Sequence, residues 1–394
     1  MDNYIVLRGH GSISCLGHEK ESVRRNYKSG LTNFQMFDNS PVAALQAAGS
    51  EMLEQLVQEK KAYRGLDRSV LMAIYASRLA VADAGWNKEK NISINIGSSR
   101  GATGLFEHHI SGFHENGIVP PNTSPVTTLG NISSWVGQDL NSSGPVISHS
   151  VTCSTGLQAI ANGFAWLKSG MAEKFLAGAS EAPLTPFTIA QMRSLGIYSE
   201  DKLTPYPCRP FNAEKRNTFV LGEAAVVFAL ERLNADGFIR ERTAPIILES
   251  VGFGFEDITS KTGISRQGNH FKRAIQNALE NANSSLPIDL IIMHAPGTLA
   301  GDCAEFEAIR SVFGDTDIPV LSSSKWMTGH ALGASGCLSL DYAINILQTQ
   351  SYLQFPYNSS LAKAHKGKSF KRILVSAAGF GGNATSVIIS NHVI

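Results

Sequence analysis

The sequence has no excess of charge, no long apolar run and few cysteines, and each of these absences excludes a class of protein. Its 34 Lys and Arg residues nearly balance 33 Asp and Glu residues, which gives no support for a nucleic-acid-binding protein. No uninterrupted apolar segment approaches the roughly 20 residues that cross a bilayer. The first residues, MDNYIVLRGH, do not form a signal-peptide pattern. We therefore expect a protein without a membrane span, located in the cytoplasm.

The five cysteines are widely separated, and no two of them form a C-x-x-C pair. An odd number of isolated cysteines favours reduced thiols over a disulfide framework. Possible metal ligands occur around His294, Asp302 and Glu305 and in the segment FEHHISGFH (106–114). Neither group has the H-E-x-x-H or paired-cysteine spacing of a metal site, so we expect no metal.

What the sequence does contain is enough apolar material for a large core. Hydrophobic residues make up 43% of 394 residues, which predicts two or more domain-sized units. Short β-like apolar runs alternate with helical patterns such as the one in AYRGLDRSVLMAIYASRLAVADAGW (62–86). This alternation predicts an α/β protein with buried sheets.

The chain also contains a faint internal duplication. The first half reads YIVLRGHGSIS, ISINIGSSRGATG, GPVISHSVTCSTG and EKFLAGASE, and the second reads PIILESVGFGF, DLIIMHAPGTLAGD, IPVLSSSKWMTGHALGASG and KRILVSAAGFGGN. Each series is strand–Gly, strand–polar loop, strand–Ser run–helix and strand–small loop. We therefore predict two similar α/β halves, residues 1–240 and 241–394, related by a pseudo-two-fold axis.

One cysteine stands at a strand-to-helix junction. Cys153 lies in GPVISHSVTCSTGLQ, between a β-prone run and the start of a helical pattern. An isolated cysteine is most often a small buried hydrophobic residue. At a helix start, however, unpaired amides and the helix dipole favour the thiolate, which is the nucleophilic form. The position therefore leaves two alternatives, a nucleophile with a lowered pKa and an inert buried thiol.

Other reactive side chains follow strands of the second half. His294 comes after its second strand, Lys325 and His330 after its third, and Phe380 after its last. Loops beyond the carboxyl ends of strands gather at one edge of a sheet, so these residues can meet Cys153 in one cleft. Two imidazoles near a thiol can accept a proton and donate hydrogen bonds to a developing oxyanion.

A competing nucleophile is Ser99. The segment GSSRG (97–101) matches the G-x-S-x-G pattern of an α/β-hydrolase esterase, and Asp302 and His330 follow it in the order that such enzymes use. The pattern has only three fixed positions and arises easily in a chain rich in Gly and Ser. It also leaves Cys153 and the duplication unexplained.

Taken together, these segments resemble the β-ketoacyl-acyl-carrier-protein synthases of the elongating type. SVTCSTG is similar to their nucleophile motif, and the segments around FLAGASEAPLTPF, PYPCRPFNAEKRNTFVLGEAAVVFALE, HAPGTLAGDCAEFEAI, SSSKWMTGHALGASG and SAAGFGGNATSVII follow in the family's order. The resemblance implies a thiolase-like fold, in which two duplicated halves form α-β-α-β-α layers.

The resemblance also implies residue roles. Cys153 would accept the acyl group, and His294 and His330 would be the paired active-site histidines. Lys325 would organise these histidines, with Glu305 as its acidic partner.

The remaining implied roles concern two loops. The amides of Cys153 and Phe380 would form the oxyanion hole, and Phe380 would gate the acyl and malonyl steps. The family commonly has His-Gly-Thr where this chain has His-Ala-Pro, so Ala295 and Pro296 depart from the pattern while Thr298 retains a later threonine. Pro296 stands where the family has threonine. Because proline offers neither a hydroxyl nor an N–H, it cannot make the hydrogen bonds of that family threonine.

The implied reaction is the decarboxylative condensation of an acyl thioester on Cys153 with malonyl carried by an acyl carrier protein. It requires no cofactor and serves fatty-acid or polyketide/polyene synthesis. A homodimer or a heterodimer with a related subunit is expected, and a non-catalytic chain-length factor is the alternative, although such subunits lack the cysteine. Carrier proteins are acidic, so basic side chains should contact them; the candidates are Lys61, Arg64, Arg68, Lys202 and Arg209.

Overall fold

A computed structural model describes residues 3–201, 204–239, 241, 245–258, 263–361 and 369–391. The strands are β1 (Asn3–Ser14), β2 (Gln35–Phe37), β3 (Ser40–Ala43), β4 (Ser93–Gly97), β5 (Val146–Ile147), β6 (Lys174–Glu181), β7 (Leu221–Gly222), β8 (Ala224–Asn234), β9 (Ile246–Phe255), β10 (Leu290–Ile292), β11 (Val320–Ser322), β12 (Arg372–Gly379) and β13 (Asn383–Ser390).

The helices are α1 (Lys20–Ser29), α2 (Ala47–Glu59), α3 (Arg68–Asp83), α4 (Thr103–Asn116), α5 (Thr123–Thr127), α6 (Asn131–Leu140), α7 (Thr155–Ser169), α8 (Pro186–Ser194), α9 (Ala235–Ile239), α10 (Asn269–Glu280), α11 (Leu299–Phe313), α12 (Lys325–Thr328) and α13 (Ser335–Thr349). Short 3-10 turns span Lys61–Tyr63 and Leu332–Ala334. None of the helices in this described part of the chain is both long and apolar enough to cross a membrane.

The strand order repeats between the two halves. The main sheet runs β11-β10-β12-β13-β9-β1-β8-β6-β4-β5, so β1, β4, β5, β6 and β8 are arranged as β9 to β13 are. In each half the second, third and fourth strands pair in parallel, and the fifth pairs antiparallel with the fourth and the first. This order confirms the duplicated α/β architecture. The boundary between residues 240 and 241 stays a prediction, because residues 240 and 242–244 lie outside the described part.

Helices α7 and α13 form the central layer. Helix α13 is buried on every side from Ser335 to Leu347, as expected of a helix enclosed by protein. It packs on β12 and also reaches β8, while α7 packs on β6 and β4 and also reaches β9 and β13. The layers outside the two halves of the main sheet include α3, which covers β1 and β8, and α10, which covers β9 and β13. The result is the predicted five-layer α-β-α-β-α arrangement.

The central helices approach each other closely through glycines. A Cβ atom on Gly156 of α7 would lie 2.6 Å from Cys337 Sγ and 2.8 Å from the carbonyl oxygen of Gly333. A Cβ atom on Gly336 of α13 would lie 2.8 Å from Leu157 Cγ. The contact fixes the start of α7, and therefore the position of Cys153, against the second half.

Gly156→Val is expected to destabilise the protein by about 1–3 kcal/mol, because the added atoms overlap backbone and sulfur atoms that cannot move aside. The thermal unfolding midpoint measures this loss. Gly112→Val is the matched control, since a Cβ atom on that helical glycine meets nothing within 4 Å. Equal midpoints for the two variants would contradict the close packing of α7 on α13.

Candidate active site

Cys153 lies immediately before α7, whose N-cap residue is Ser154. The preceding Thr152 has a φ angle of 53°, in a left-handed region that β-branched residues rarely occupy. Contacts hold this backbone: the Thr152 hydroxyl donates to the carbonyl oxygen of Phe380 at 3.1 Å, and the Thr155 hydroxyl donates to the Thr152 carbonyl at 2.6 Å. The elbow presents Cys153 to a cavity between the two halves.

The environment of Cys153 corrects the expectation of a resting thiolate. The residue is partly exposed toward the cavity, but burial of the thiol raises its pKa to about 12, with a contribution from the Glu181 carboxylate and opposition from Lys325. Cys153 precedes the N-cap, so it is displaced from the first-turn amides that would stabilise a thiolate. Enclosure therefore prevails over the helix dipole, and the resting nucleophile is a thiol.

Alkylation of Cys153 by iodoacetamide is expected to accelerate about tenfold per pH unit between pH 7 and pH 9, because only the scarce thiolate reacts. The measurement needs a Cys303→Ser background, since Cys303 is exposed while Cys15, Cys208 and Cys337 are buried. A plateau below pH 8 would instead show a stabilised thiolate.

His294 lies in a turn that is shaped by α11. The amides of His294 and Ala295 donate to the two carboxylate oxygens of Glu305, each at 2.7 Å. Burial raises the pKa of Glu305 to about 7, although these amides and the charge of Lys325 oppose the rise. The Glu305 carboxylate therefore positions His294 by binding the backbone amides of that turn, and it also interacts electrostatically with Lys325.

His330 has a defined tautomer. Its Nδ1 accepts a hydrogen bond from the Leu332 amide at 3.0 Å, so the ring proton resides on Nε2. The centroids of the His330 and Phe219 rings lie 5.0 Å apart. Burial lowers the pKa of His330 well below its usual value, and the charge of Lys325 lowers it further. The side chain is therefore a neutral hydrogen-bond donor at Nε2.

Lys325 supplies a buried positive charge near both histidines. It is 1% exposed, and within the described chain its Nζ has no hydrogen-bond partner. Burial lowers the pKa of Lys325 to about 8, and Glu305 provides the largest opposing influence. Burial and the same charge keep the pKa of His294 well below its usual value. The positive charge of Lys325 beside two neutral histidines therefore favours the binding of a negatively charged group.

The structure brings five of the predicted residues to one cavity of about 350 Å³, while Lys325 and Glu305 lie outside its lining. Cys153, His294, His330, Thr298 and Phe380 are among its lining residues. The rings of the two histidines lie edge to face, with centroids 5.2 Å apart and planes at 88°. The remaining surface is mostly apolar, as a site for an acyl chain requires.

The turn that carries Phe380 joins β12 to β13. Phe380 is 42% exposed, and Gly381 and Gly382 have φ angles of 94° and 77°, which glycine adopts without strain. A Cβ atom on Gly379 would lie 2.6 Å from the amide nitrogen of Cys153. The turn is therefore close-packed against the elbow that carries the nucleophile.

One of the two departures from the family pattern, Pro296, lines the cavity, whereas Ala295 is buried away from it. Pro296 contributes to the wall, and Thr298 lines the cavity while its hydroxyl caps α11 by accepting from the Gly301 amide. The Gly297 amide donates to Asp302 at 3.0 Å, which fixes the turn between them. Thr298 thus has a structural role that its sequence position did not reveal.

The predicted carrier-protein patch is only partly available. Lys61 and Arg64 are exposed, whereas Arg68 is paired with Glu223 at 2.8 Å. Arg209 is a correction: it is buried, with its guanidinium 2.8 Å from Asp201. Because Arg209 is buried in an ion pair, it is not available to contact a partner at the surface, and the sequence did not reveal this pairing. Lys202 lies outside the described residues.

Comparison with known proteins decides the family. Residues 13–236 match the β-ketoacyl synthase N-terminal domain, and residues 247–355 match the β-ketoacyl synthase C-terminal domain. The chain belongs to the β-ketoacyl synthase family. It is 31% identical over 347 residues to 3-oxoacyl-[acyl-carrier-protein] synthase 2 of Staphylococcus aureus (strain COL), a match that covers 84% of this chain and 82% of the relative.

Further similar proteins include both enzymes and assemblies of the β-ketoacyl synthase family. A putative polyketide β-ketoacyl synthase 1 of Streptomyces halstedii is 28% identical over 352 residues, covering 83% of this chain and 82% of that relative. A β-ketoacyl synthase structure from Burkholderia phymatum has a TM-score of 0.81 at 24% identity, with 99% of each chain covered. The ishigamide ketosynthase/chain length factor has a TM-score of 0.82 at 21% identity, with 100% of each chain covered. These structures establish the thiolase-like fold.

Membership of the β-ketoacyl synthase family removes the hydrolase interpretation of Ser99. The local geometry agrees, because the Ser99 amide is bonded to Glu181, while Nδ1 of His330 is engaged by the Leu332 amide. Asp302, the third member of the hypothetical triad, instead accepts backbone amides of its own surroundings. No serine–histidine–aspartate relay is formed by these three residues.

Sequence reasoning missed Glu181, the last residue of β6. The carboxylate accepts the Gly333 amide at 3.2 Å, and burial raises its pKa to about 7. It thereby ties the first half to the segment that follows His330. Glu181 could have been predicted in the same way as His294, because it is a polar residue at the carboxyl end of a buried strand.

Proposed function

We propose that this member of the β-ketoacyl synthase family joins an acyl group held on Cys153 to a malonyl unit, with loss of CO₂, to give a β-ketoacyl thioester on an acyl carrier protein. The observation that carries the proposal is the meeting of one thiol and two neutral imidazoles at a largely apolar cavity, with Lys325 behind them. The S. aureus relative is named for the same activity.

In the first step, Cys153 takes the acyl group from a carrier-protein thioester. Because its resting form is the thiol, the proton must leave as the sulfur attacks. His294 is the proposed acceptor, since its pKa keeps it neutral and Nε2 of His330 already carries a proton. The bond between the carbonyl carbon and the carrier sulfur then breaks, and the departing carrier thiolate takes the proton from His294. The amides of Cys153 and Phe380 are the proposed oxyanion donors.

In the second step, a malonyl thioester replaces the deacylated carrier. Nε2–H of His330 and the positive charge of Lys325 stabilise the enolate oxygen that forms as CO₂ leaves. The enolate carbon attacks the acyl carbonyl, the bond to Cys153 sulfur breaks, and the Cys153 thiolate takes up one proton from solvent. Movement of the exposed Phe380 side chain is the proposed gate between the two steps. No redox or organic cofactor enters either step.

The test is a condensation assay with the purified chain, an acyl carrier protein loaded separately with acyl and malonyl groups, and mass spectrometry of the products. A β-ketoacyl product together with acylated Cys153 supports the proposal. Failure of every donor to acylate Cys153 would instead favour a chain-length-determining partner. That second candidate is favoured by Pro296 in the cavity wall and by the ketosynthase/chain length factor likeness.

Charge reversal at the exposed basic pair is expected to weaken carrier-protein docking. Lys61→Glu with Arg64→Glu should raise KM for carrier-linked acyl groups about tenfold, because the new carboxylates repel an acidic partner. The effect should shrink at high salt, which screens this repulsion. Small thioesters that lack the protein should react unchanged. Lys88→Glu with Lys90→Glu reverses another exposed pair and serves as the control; equal effects of the two double variants would contradict the docking site.

We also propose a dimer in the cytoplasm, either of two copies or with a related synthase subunit. Its support is the edge of the main sheet at β5 and an apolar face on α4. Phe106, Ile110 and Phe113 recur there at helical spacing and are 53%, 43% and 51% exposed. An exposed apolar stripe and a strand at the end of a sheet are each surfaces that association can cover.

A further inference from the structure

A third imidazole lines the condensation cavity and has no part in the mechanism above. His270 of α10 is 2% exposed, and its Nδ1 lies 2.9 Å from a carboxylate oxygen of Glu256. Both side chains line the same cavity as Cys153 and His294. The His270 ring packs 4.5 Å from that of Phe271, which in turn lies 6.1 Å from the ring of His294.

Glu256 is held as a carboxylate by its surroundings. Burial opposes its ionisation, but Ser265 donates both its amide, at 3.1 Å, and its hydroxyl, at 2.6 Å, and the net result is a lowered pKa for Glu256. The Glu256 amide also donates to the Gly382 carbonyl at 3.0 Å, beside the Phe380 turn. The carboxylate is therefore fixed in place and negatively charged.

This carboxylate determines the tautomer of His270. The 2.9 Å approach is poorly aligned for a hydrogen bond, yet an unprotonated nitrogen at that distance would place its lone pair against the anion. The proton therefore belongs on Nδ1. Burial lowers the pKa of His270, and Glu256 only partly opposes this, so the ring is neutral and Nε2 carries a lone pair.

His270 and His330 thus have opposite characters in one cavity. Nε2 of His330 is a donor because its Nδ1 accepts from the Leu332 amide. Nε2 of His270 is an acceptor because its Nδ1 holds the proton, and the Nδ1 edge is the buried one, so Nε2 is the edge left to face the cavity. An acceptor in a largely apolar cavity needs a donor to satisfy it.

We propose that His270, oriented by Glu256, is a specificity-determining residue that accepts a hydrogen bond from an O–H or N–H group of the bound thioester. The inference rests on the proposed function, because it assumes that thioesters enter this cavity. Two sources share the required chemistry: a hydroxyl group on the acyl chain and an amide N–H of the arm that carries it.

The experiment measures acylation of Cys153 by intact-protein mass spectrometry with four thioesters. Butanoyl and 3-hydroxybutanoyl groups are each presented on N-acetylcysteamine, which has an amide, and on ethanethiol, which has none. His270→Phe keeps a ring of similar shape but removes the acceptor. It should lower kcat/KM about tenfold for thioesters with the recognised donor and leave ethyl thiobutanoate unchanged. His270→Gln, which restores an acceptor oxygen, should recover most of the loss.

The pattern across the four compounds identifies the source of the donor. A loss that follows the hydroxyl assigns the contact to the acyl chain, and a loss that follows the amide assigns it to the arm. An equal loss for all four compounds, or no loss for any, would overturn the inference.

A second measurement does not depend on activity. Nitrogen-15 NMR of histidine-labelled protein should show His270 neutral with its proton on Nδ1, and a proton on Nε2 would overturn the inference. If wild-type protein is acylated by none of the thioesters, the proposed function fails, while the NMR result still tests the tautomer.

Discussion

Cys153→Ala is expected to abolish acyl transfer and condensation, with a loss on the order of 10⁴-fold or more, because no other group can form the acyl-enzyme intermediate. Condensation is followed with acyl and malonyl carrier proteins, and the intermediate is followed by intact mass. Cys15, Cys208 and Cys337 are buried, and the exposed Cys303 does not line the cavity, so none of them can replace the missing sulfur. Normal condensation by Cys153→Ala would show that the nucleophile has been misassigned.

Two further variants separate the nucleophile from its surroundings. Cys153→Gln should also fail to condense but should still release CO₂ from a malonyl thioester, since both histidines and Lys325 remain. Ser99→Ala should retain its nucleophile and condense, because its amide rather than its hydroxyl makes the contact with Glu181. A selective loss in Ser99→Ala would restore the serine hypothesis.

The sequence was sufficient for the architecture because the duplication is written into the order of strand, loop and helix motifs. The segments DLIIMHAPGT and ISINIGSSRG contain the predicted second strand of each half, and β10 and β4 do occupy equivalent places in the sheet. The carboxyl-end rule for strands also predicted that Cys153, His294 and His330 would meet, although they are far apart in the chain. The order of strands, loops and helices can be read from local segments, and a single sequence contains those segments.

The details that sequence reasoning missed are those set by three-dimensional neighbours. The helix-start rule predicted a thiolate at Cys153, but one residue of displacement and the surrounding enclosure reversed the direction of its pKa shift. Arg209 looked like a surface cation until Asp201 was found beside it. His270 lies in an ordinary amphipathic helix, and nothing in GNHFKRAIQ identifies Glu256 as its neighbour. Burial and pairing depend on contacts between distant segments, which no local pattern encodes.

His330→Phe is expected to slow the release of CO₂ from a malonyl thioester by about 10²–10³-fold, which is the usual cost of removing one preorganised oxyanion donor. Phenylalanine keeps the packing against Phe219 but has no N–H. The strain at Leu332, whose φ angle is 41°, indicates that the backbone is held in an unfavourable conformation to present its amide to Nδ1 of His330. That arrangement keeps the donor proton on Nε2, where an enolate oxygen would meet it.

The Cys153→Gln background isolates this effect, because decarboxylation can be measured there without acyl transfer or condensation. His330→Asn offers an amide N–H near the same position and should recover part of the rate. Acylation of Cys153 in the single variant His330→Phe should fall much less than decarboxylation, because His294 is the proposed proton acceptor in that step. Equal losses in both steps would mean that His330 serves the nucleophile as well, and an unchanged rate of CO₂ release would remove it from enolate stabilisation.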